Sequence, residues 1–255
     1  LSSQGTLAKN AYLGFFFNET FTEFDNATDA IKHFDLNYIG LDMNVERGGN
    51  NQKKFILKPK GSNYSSFELR HASSGIQTTA PLIAMMNYYA QAFDFKLAQK
   101  RSIIDLLFEK NLTTQYRPEM ELTDMPKYVH IHIEEPELSL DPTSQIQMLN
   151  EIIRLAFYSK VDSREIGLVL ATHSPYIINS LNLLMKAHDC KTDIDGAHVG
   201  YDDLSVYQIL SGGVADLKVK NIHYVNTDRL SEDINNIYDK YQELKQLQNE
   251  ESLGK

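Results

Sequence analysis

The sequence contains one cysteine, Cys190, and no tryptophan. A lone thiol excludes an internal disulfide and fits a reducing compartment, so a cytoplasmic location is expected. No apolar run approaches the ~20 residues that span a bilayer, and no membrane partner is expected. The opening, LSSQGTLAKNAYLGFFFNETF, has no basic leader ahead of its apolar stretch, which speaks against a secretory signal. Basic residues are few: 25 Lys and Arg stand against 34 Asp and Glu, a net charge of −9. That deficit argues against a chain coated with nucleic-acid contacts, while leaving room for a local basic patch. Internal repeats and low-complexity tracts are missing. So is the glycine loop G-x-x-x-x-G-K-[ST] that cradles phosphates; SSQGTLAKN and RGGNNQKK hold Gly and Lys at the wrong spacing.

What is present is an ordinary globular composition, 42% apolar and 23% charged over 255 residues, enough for one large domain or two small ones. The stretch LNYIGLDMNV (36–45) reads as a strand, ERGGNNQKK as a polar turn, KFILKP as a short strand and KGSNYSS as a loop. IQTTAPLIAMMNYYAQAF carries helical spacing, with Pro81 near its start. Residues 92–127 read as a charged insertion or lid with a helix at QKRSIIDLLFEKN. KYVHIHI is a strand. DPTSQIQMLNEIIRLAFYSK is a helix, with Asp141 as N-cap, Pro142 at the first position and a stripe of Ile146, Leu149, Ile153 and Ala156. EIGLVLAT (165–172) is a nearly continuous apolar run, as expected of a parallel strand covered on both faces. The order from 128 to 172 is a βαβ unit, which predicts a parallel pair.

That order places chemistry. Ligands of open α/β sheets sit beyond the carboxyl ends of strands. Glu134 and Glu135 end the first strand of the unit, and His173 follows the second. A carboxylate pair and a histidine on one rim suit a metal–phosphate site: one acid holds Mg²⁺, the other orients a water, and the imidazole bonds a terminal phosphate oxygen. A divalent cation is what would let two adjacent glutamates tolerate each other. His130 and His132 share a strand face, but nothing is spaced to complete a metal site with them, and both read as structural.

VHIHIEEPELSLDP resembles the Walker B strand and D-loop of ABC-type ATPases, closest to the soluble branch that includes RecF-, SMC- and OLD-like proteins. LVLATHSPYIIN resembles that branch's switch-histidine segment, HASSGIQ (71–77) its signature motif, and DDLSVYQILSGGVADLKV its closing segment. The resemblance covers residues 65–180 best. It implies an α/β fold of the P-loop NTPase, ABC-type, three-layer kind, here partial, with a mostly parallel sheet and a helical insertion. It implies ATP and Mg²⁺ as cofactors and a homodimer that sandwiches the nucleotide. Work on DNA repair, DNA maintenance or phage defence follows by analogy, with a possible DNA-associated partner. By the same resemblance Glu134 matches the Mg²⁺-positioning acid, Glu135 the catalytic glutamate and His173 the γ-phosphate histidine. Ser73, Ser74 and Gly75 match the signature that binds ATP held by the other subunit, Gln77 matches it more weakly, and Asp141 matches the D-loop aspartate at the dimer seam. An SSG before a helix offers N–H groups, hydroxyls and a helix dipole to an anion.

Two departures stand out. The Walker B acid is usually Asp and here is Glu134, one methylene longer. The missing glycine–lysine loop implies that this chain is the C-terminal part of a longer ATPase: residues 1–64 a remnant, 65–91 the signature region, 92–127 the insertion, 128–227 the core and closing segment, 228–248 a terminal helix. Alone, such a chain is expected to lack ATPase activity, and a non-catalytic dimerisation module is the alternative. A metal-dependent phosphoesterase is a third reading, short of acids for two metals. In the terminal helix Leu230, Ile234, Ile237, Tyr241 and Leu244 form one apolar stripe, expected to pack on the core, with a coiled-coil seam as the other fate.

Overall fold

The structure, a computed structural model, describes residues 20–49, 52–61, 63–111 and 126–253, with side chains described for all of these except 229–234, 247 and 249–253. The chain divides between Ala171 and Thr172 into two compact units.

The first unit opens with helix α1, residues 20–30. A four-stranded antiparallel sheet follows in the order β1 (His33–Leu36), β2 (Leu41–Arg47), β3 (Lys53–Pro59) and β4 (Phe67–Glu68). The stretch 36–45 is not one strand. A 3₁₀ turn, Asn37–Ile39, breaks it, and Gly40 at φ 64° reverses the chain in a conformation that costs glycine little. Short turns of this kind permit only antiparallel pairing, which is why most of the strand content is not parallel. Phe34, Leu36, Met43 and Leu57 alternate into the core and are essentially inaccessible. Burying each stabilises by roughly 1.5–3 kcal/mol.

Helix α2 (Ser74–Asn87) packs on β1, and its buried face is Thr79, Ala80, Ile83, Ala84 and Met86. Tyr38, buried in the Asn37–Ile39 turn, bonds the Thr79 hydroxyl. Burial pushes the Tyr38 phenol up to about 12. Helix α2 widens into a π turn, Tyr88–Ala92, closed by the Phe93 N–H on the Tyr88 carbonyl at 2.8 Å. The stretch expected to be an insertion holds helix α3, Phe95–Glu109, capped by Asp94. The rest of the expected lid, 112–125, lies outside the described residues.

Strand β5 (Tyr128–Glu134), helix α4 (Pro142–Ile153) and strand β6 (Glu165–Ala171) form the βαβ unit, with β5 and β6 parallel in a register that pairs Tyr128 with Glu165 and Glu134 with Ala171. Among the described residues this is the one parallel pair, so the fold is mixed α/β with a small parallel sheet rather than a mostly parallel one. Nor is β6 covered on both faces: Ile166 is buried, but Val169 is 44% exposed. Helix α4 buries Met148, Leu149, Ile152 and Ile153, and it too ends in a π turn, Arg154–Tyr158. The Ala90 carbonyl accepts from Val161 N–H at 3.0 Å and the Tyr89 carbonyl from buried Arg164 at 2.7 Å. The lead-in to β6 is thereby tied to the end of α2. Arg164 also lies 5.4 Å above the Phe95 ring.

The second unit contains helix α5 (Pro175–Asp189), the hairpin β7 (Tyr207–Leu210) with β8 (Gly213–Asp216), the short pair β9 (Lys218–Val219) with β10 (Tyr224–Val225), and helix α6 (Asp228–Leu253). Asn182 of α5 clamps β10, donating to the Val225 carbonyl at 3.0 Å and accepting its N–H at 2.7 Å. Lys218 donates to the Tyr201 and Leu204 carbonyls. Ile237, Tyr241 and Leu244 of α6 are 69%, 60% and 65% exposed, so this part of the stripe is not buried in a core. The Leu230 and Ile234 side chains lie outside the described set. No helix among the described residues is long and apolar enough to cross a membrane.

Candidate functional site

Strand β5 delivers Glu134 and Glu135 to its carboxyl end, and both are exposed. Water therefore shares the task of keeping the adjacent carboxylates apart. Glu135 leaves the strand at φ 47°, in the left-handed region that non-glycine residues seldom occupy. Its N–H still donates to the Ala171 carbonyl at 2.8 Å, and its carbonyl accepts from Leu138 N–H at 3.1 Å. The ladder thus ends on one side of Glu135 and a tight turn begins on the other. Pro136 is buried inside that turn, and Ser139 is a second left-handed residue at φ 61°. The sharp change of direction after the acid pair is built from these two conformations.

The turn delivers Asp141 to the start of α4. Its carboxylate accepts from the N–H groups of Thr143 (3.0 Å) and Ser144 (3.2 Å) and from the Ser144 hydroxyl (2.5 Å). The Ser144 hydroxyl and these N–H groups hold the Asp141 carboxyl below the usual carboxylate range. Asp141 therefore spends much of its acceptor capacity on the helix.

The 71–77 segment meets this same turn. Gly75 is buried, and a Cβ there would stand 2.5 Å from the Ser139 carbonyl oxygen and 2.9 Å from Leu140 Cδ2. Only glycine permits so close an approach. Ser73 and Ser74 are exposed, and Ser73 occupies the N-cap position of α2 without a side-chain cap bond. Helices α4 and α5 differ in this respect, since Asp141 and Ser174 accept from their own first turns. Gln77 turns back on its own segment and donates to the Arg70 (3.1 Å) and Ala72 (2.8 Å) carbonyls. That leaves its side-chain carbonyl as the end able to meet a ligand, and makes it a brace for the turn ahead of Ser73.

His173 belongs to the second unit, two residues beyond the end of β6, and is exposed. Its neighbours explain the THSP string locally. Ser174 caps α5, accepting from Ile177 N–H at 3.3 Å, and its own N–H donates to Thr172 Oγ1 at 3.0 Å. Pro175 fills the first helical position. His130 and His132 lie side by side on the exposed face of β5, with ring centroids 4.5 Å apart. Across from His130, Gly167 leaves space for the Tyr128 hydroxyl.

Within the first unit, then, the structure brings Gly75 onto Ser139 and Leu140, in the turn between Glu135 and Asp141. Sequence reasoning did not single out Ser139 or Leu140. The signal was absent, because the left-handed positions are occupied by Glu and Ser instead of Gly or Asn. No protein-family model matches the chain, and no curated protein matches it in sequence.

Proposed function

We propose that this chain carries the acid-pair and signature portion of a nucleotide site in an ABC-type ATPase of the RecF/SMC/OLD-like branch, a P-loop NTPase class of fold. Glu134 positions Mg²⁺, Glu135 orients or deprotonates the attacking water, and His173 bonds the γ-phosphate. Ser73, Ser74 and Gly75 present the uncapped start of α2 to ATP held by a second copy, and Asp141 stands at the seam between copies. The glycine–lysine phosphate cradle comes from residues outside this sequence, on the same polypeptide or another. Coupling of hydrolysis to DNA repair, DNA maintenance or phage defence in the cytoplasm belongs to the same reading.

One observation carries it: an exposed, uncapped helix start is seated, through a glycine that tolerates no Cβ, on the turn leaving a strand-end glutamate pair. An uncapped first turn is suited to an anion, and an exposed acid pair to a divalent cation. The test is Mg²⁺-dependent ATPase activity of the product of the complete gene. Glu135→Gln keeps the side chain's shape and removes the base, so turnover should fall by about 10²-fold or more while ATP binding persists and the ATP-bound dimer accumulates in light scattering. Near-normal turnover in that variant would remove Glu135 from the role assigned to it.

A further inference from the structure

A second group of metal-capable side chains lies away from the acid pair, on the exposed face of the β1–β2 ladder. The register puts Asp35 directly opposite Asp42, and His33 opposite Asn44. Carboxylates paired directly across two strands destabilise the ladder unless a cation lies close to both. His33 lies two residues from Asp35 and therefore on the same face. One ligand atom from each of His33, Asp35 and Asp42 lies within 4.8 Å of the other two. Ligands sharing one ion at ~2.0–2.2 Å stand about 3–3.5 Å apart, so rotamer adjustments of His33 and Asp35, the two exposed members, are what close the gap on the half-buried Asp42.

Two independent details aim these groups at an ion. His33 Nδ1 is 2.9 Å from Asn44 Oδ1, an oxygen that accepts, so Nδ1–H donates there and Nε2 is left on the side of Asp35, 3.7 Å from its Oδ1. An imidazole fixed through its far nitrogen by a carbonyl is how metal-ligating histidines are oriented. In addition, Asp42 Oδ1 is buried and receives no well-directed hydrogen bond, although the Lys60 ammonium lies 3.2 Å away. Lys60 also reaches Asp35 Oδ1 at 2.8 Å and Asn37 Oδ1 at 2.6 Å. It is the cation the two carboxylates use in this structure, and Asn37 gives it an anchor when it moves aside.

We propose that His33, Asp35 and Asp42 form a binding site for a divalent transition-metal ion, with Lys60 as the built-in competitor for the same carboxylates. One imidazole and two carboxylates suit Zn²⁺, Co²⁺ or Mn²⁺, and an all-oxygen ion such as Mg²⁺ gains nothing from His33. Three protein ligands leave positions for water. Because the imidazole must be unprotonated to ligate, affinity falls in acid.

The experiment is calorimetric titration of the purified chain with Co²⁺ and Zn²⁺, together with the visible spectrum of bound Co²⁺. It is run in a Glu134→Gln/Glu135→Gln background, so that the acid pair of the proposed nucleotide site cannot supply the signal. One ion per chain is expected. His33→Ala and Asp42→Asn should each weaken binding at least tenfold, and both positions tolerate change because they lie at the sheet surface. Lys60→Gln should tighten binding severalfold by removing the competing ammonium. Affinity unchanged by His33→Ala, or lost with His130→Ala instead, overturns the site. No tightening in Lys60→Gln overturns the competition.

Discussion

Adding a methyl group at Gly75 sets two effects of known sign against each other. Alanine is the better helix former by about 1 kcal/mol, and Gly75 is the second residue of α2, so propensity alone predicts that Gly75→Ala stabilises. Packing predicts the reverse. The new Cβ would stand 2.5 Å from the Ser139 carbonyl oxygen, 2.9 Å from Leu140 Cδ2 and 3.1 Å from the Ser139 carbonyl carbon. Leu140 can rotate, but the other two atoms are backbone, in a turn held by Glu135 and Ser139 in left-handed conformations. Overpacking of this kind costs ~1–3 kcal/mol, and rigid backbone neighbours put this case in the upper part of that range. The net expectation is a loss of about 1–2 kcal/mol, or a fall of about 3–6 °C in melting temperature followed by far-ultraviolet circular dichroism. Gly212→Ala is the control, since a Cβ there meets nothing within 4 Å. A Gly75→Ala variant that melts at or above the parent temperature would refute the reasoning, because it would show that the Ser139–Leu140 turn yields at no cost.

Tyr38 is the natural pH probe. Its phenol is raised to about 12 by burial, so the neutral form stabilises the fold fully below the ordinary tyrosine value of ~10, and that contribution is lost as pH rises from ~10 towards 12. Tyr38→Phe should flatten this part of the alkaline denaturation profile, and an unchanged profile would count against the assignment. Arg164→Met removes a charged donor from the Tyr89 carbonyl and a cation from the face of Phe95, so a loss of ~2–4 kcal/mol in urea unfolding is expected, and a loss below ~1 kcal/mol would show that the guanidinium is dispensable. Truncation after Thr227 removes a helix whose described apolar side chains are exposed, so the remaining chain should melt within a degree or two of the parent. A large fall would show that the helix stabilises the core after all.

The βαβ unit was legible because its punctuation is chemical. Asp141 and Pro142 announce a helix start, and the flanking apolar runs leave strands as the simplest reading. The THSP string holds the same cap-and-proline start in Ser174 and Pro175, but it was read only for its family resemblance and the helix that follows it was missed. The hairpin at 36–45 was missed because apolar residues fall on both sides of Gly40, and the 3₁₀ turn between them buries Tyr38 as a strand would. The extent of parallel sheet was overestimated because the composition of β6 shows what it can bury, while Val169 is in fact half open to solvent. For the site, residue types marked Glu134, Glu135 and Asp141, but not the division of labour among them. The capping role of Asp141 was read from its place before Pro142, whereas the brace that Gln77 makes to the Arg70 and Ala72 carbonyls depends on which neighbours fold back within reach.

The π turn at the end of α2 has a consequence for how this chain can change. A π turn is an α-helix with one residue too many, and here the surplus sets the Tyr89 and Ala90 carbonyls outward, where Arg164 and Val161 collect them. Deleting one residue from 88–92 would give back regular α-helical bonding and improve the segment as a helix. It would also rotate everything downstream by about 100°, sending both carbonyls out of phase with their donors. The imperfect helix is thus a phasing device: an insertion that looks like damage when α2 is viewed alone sets the angular position of the chain entering β6, the strand whose end receives Glu135.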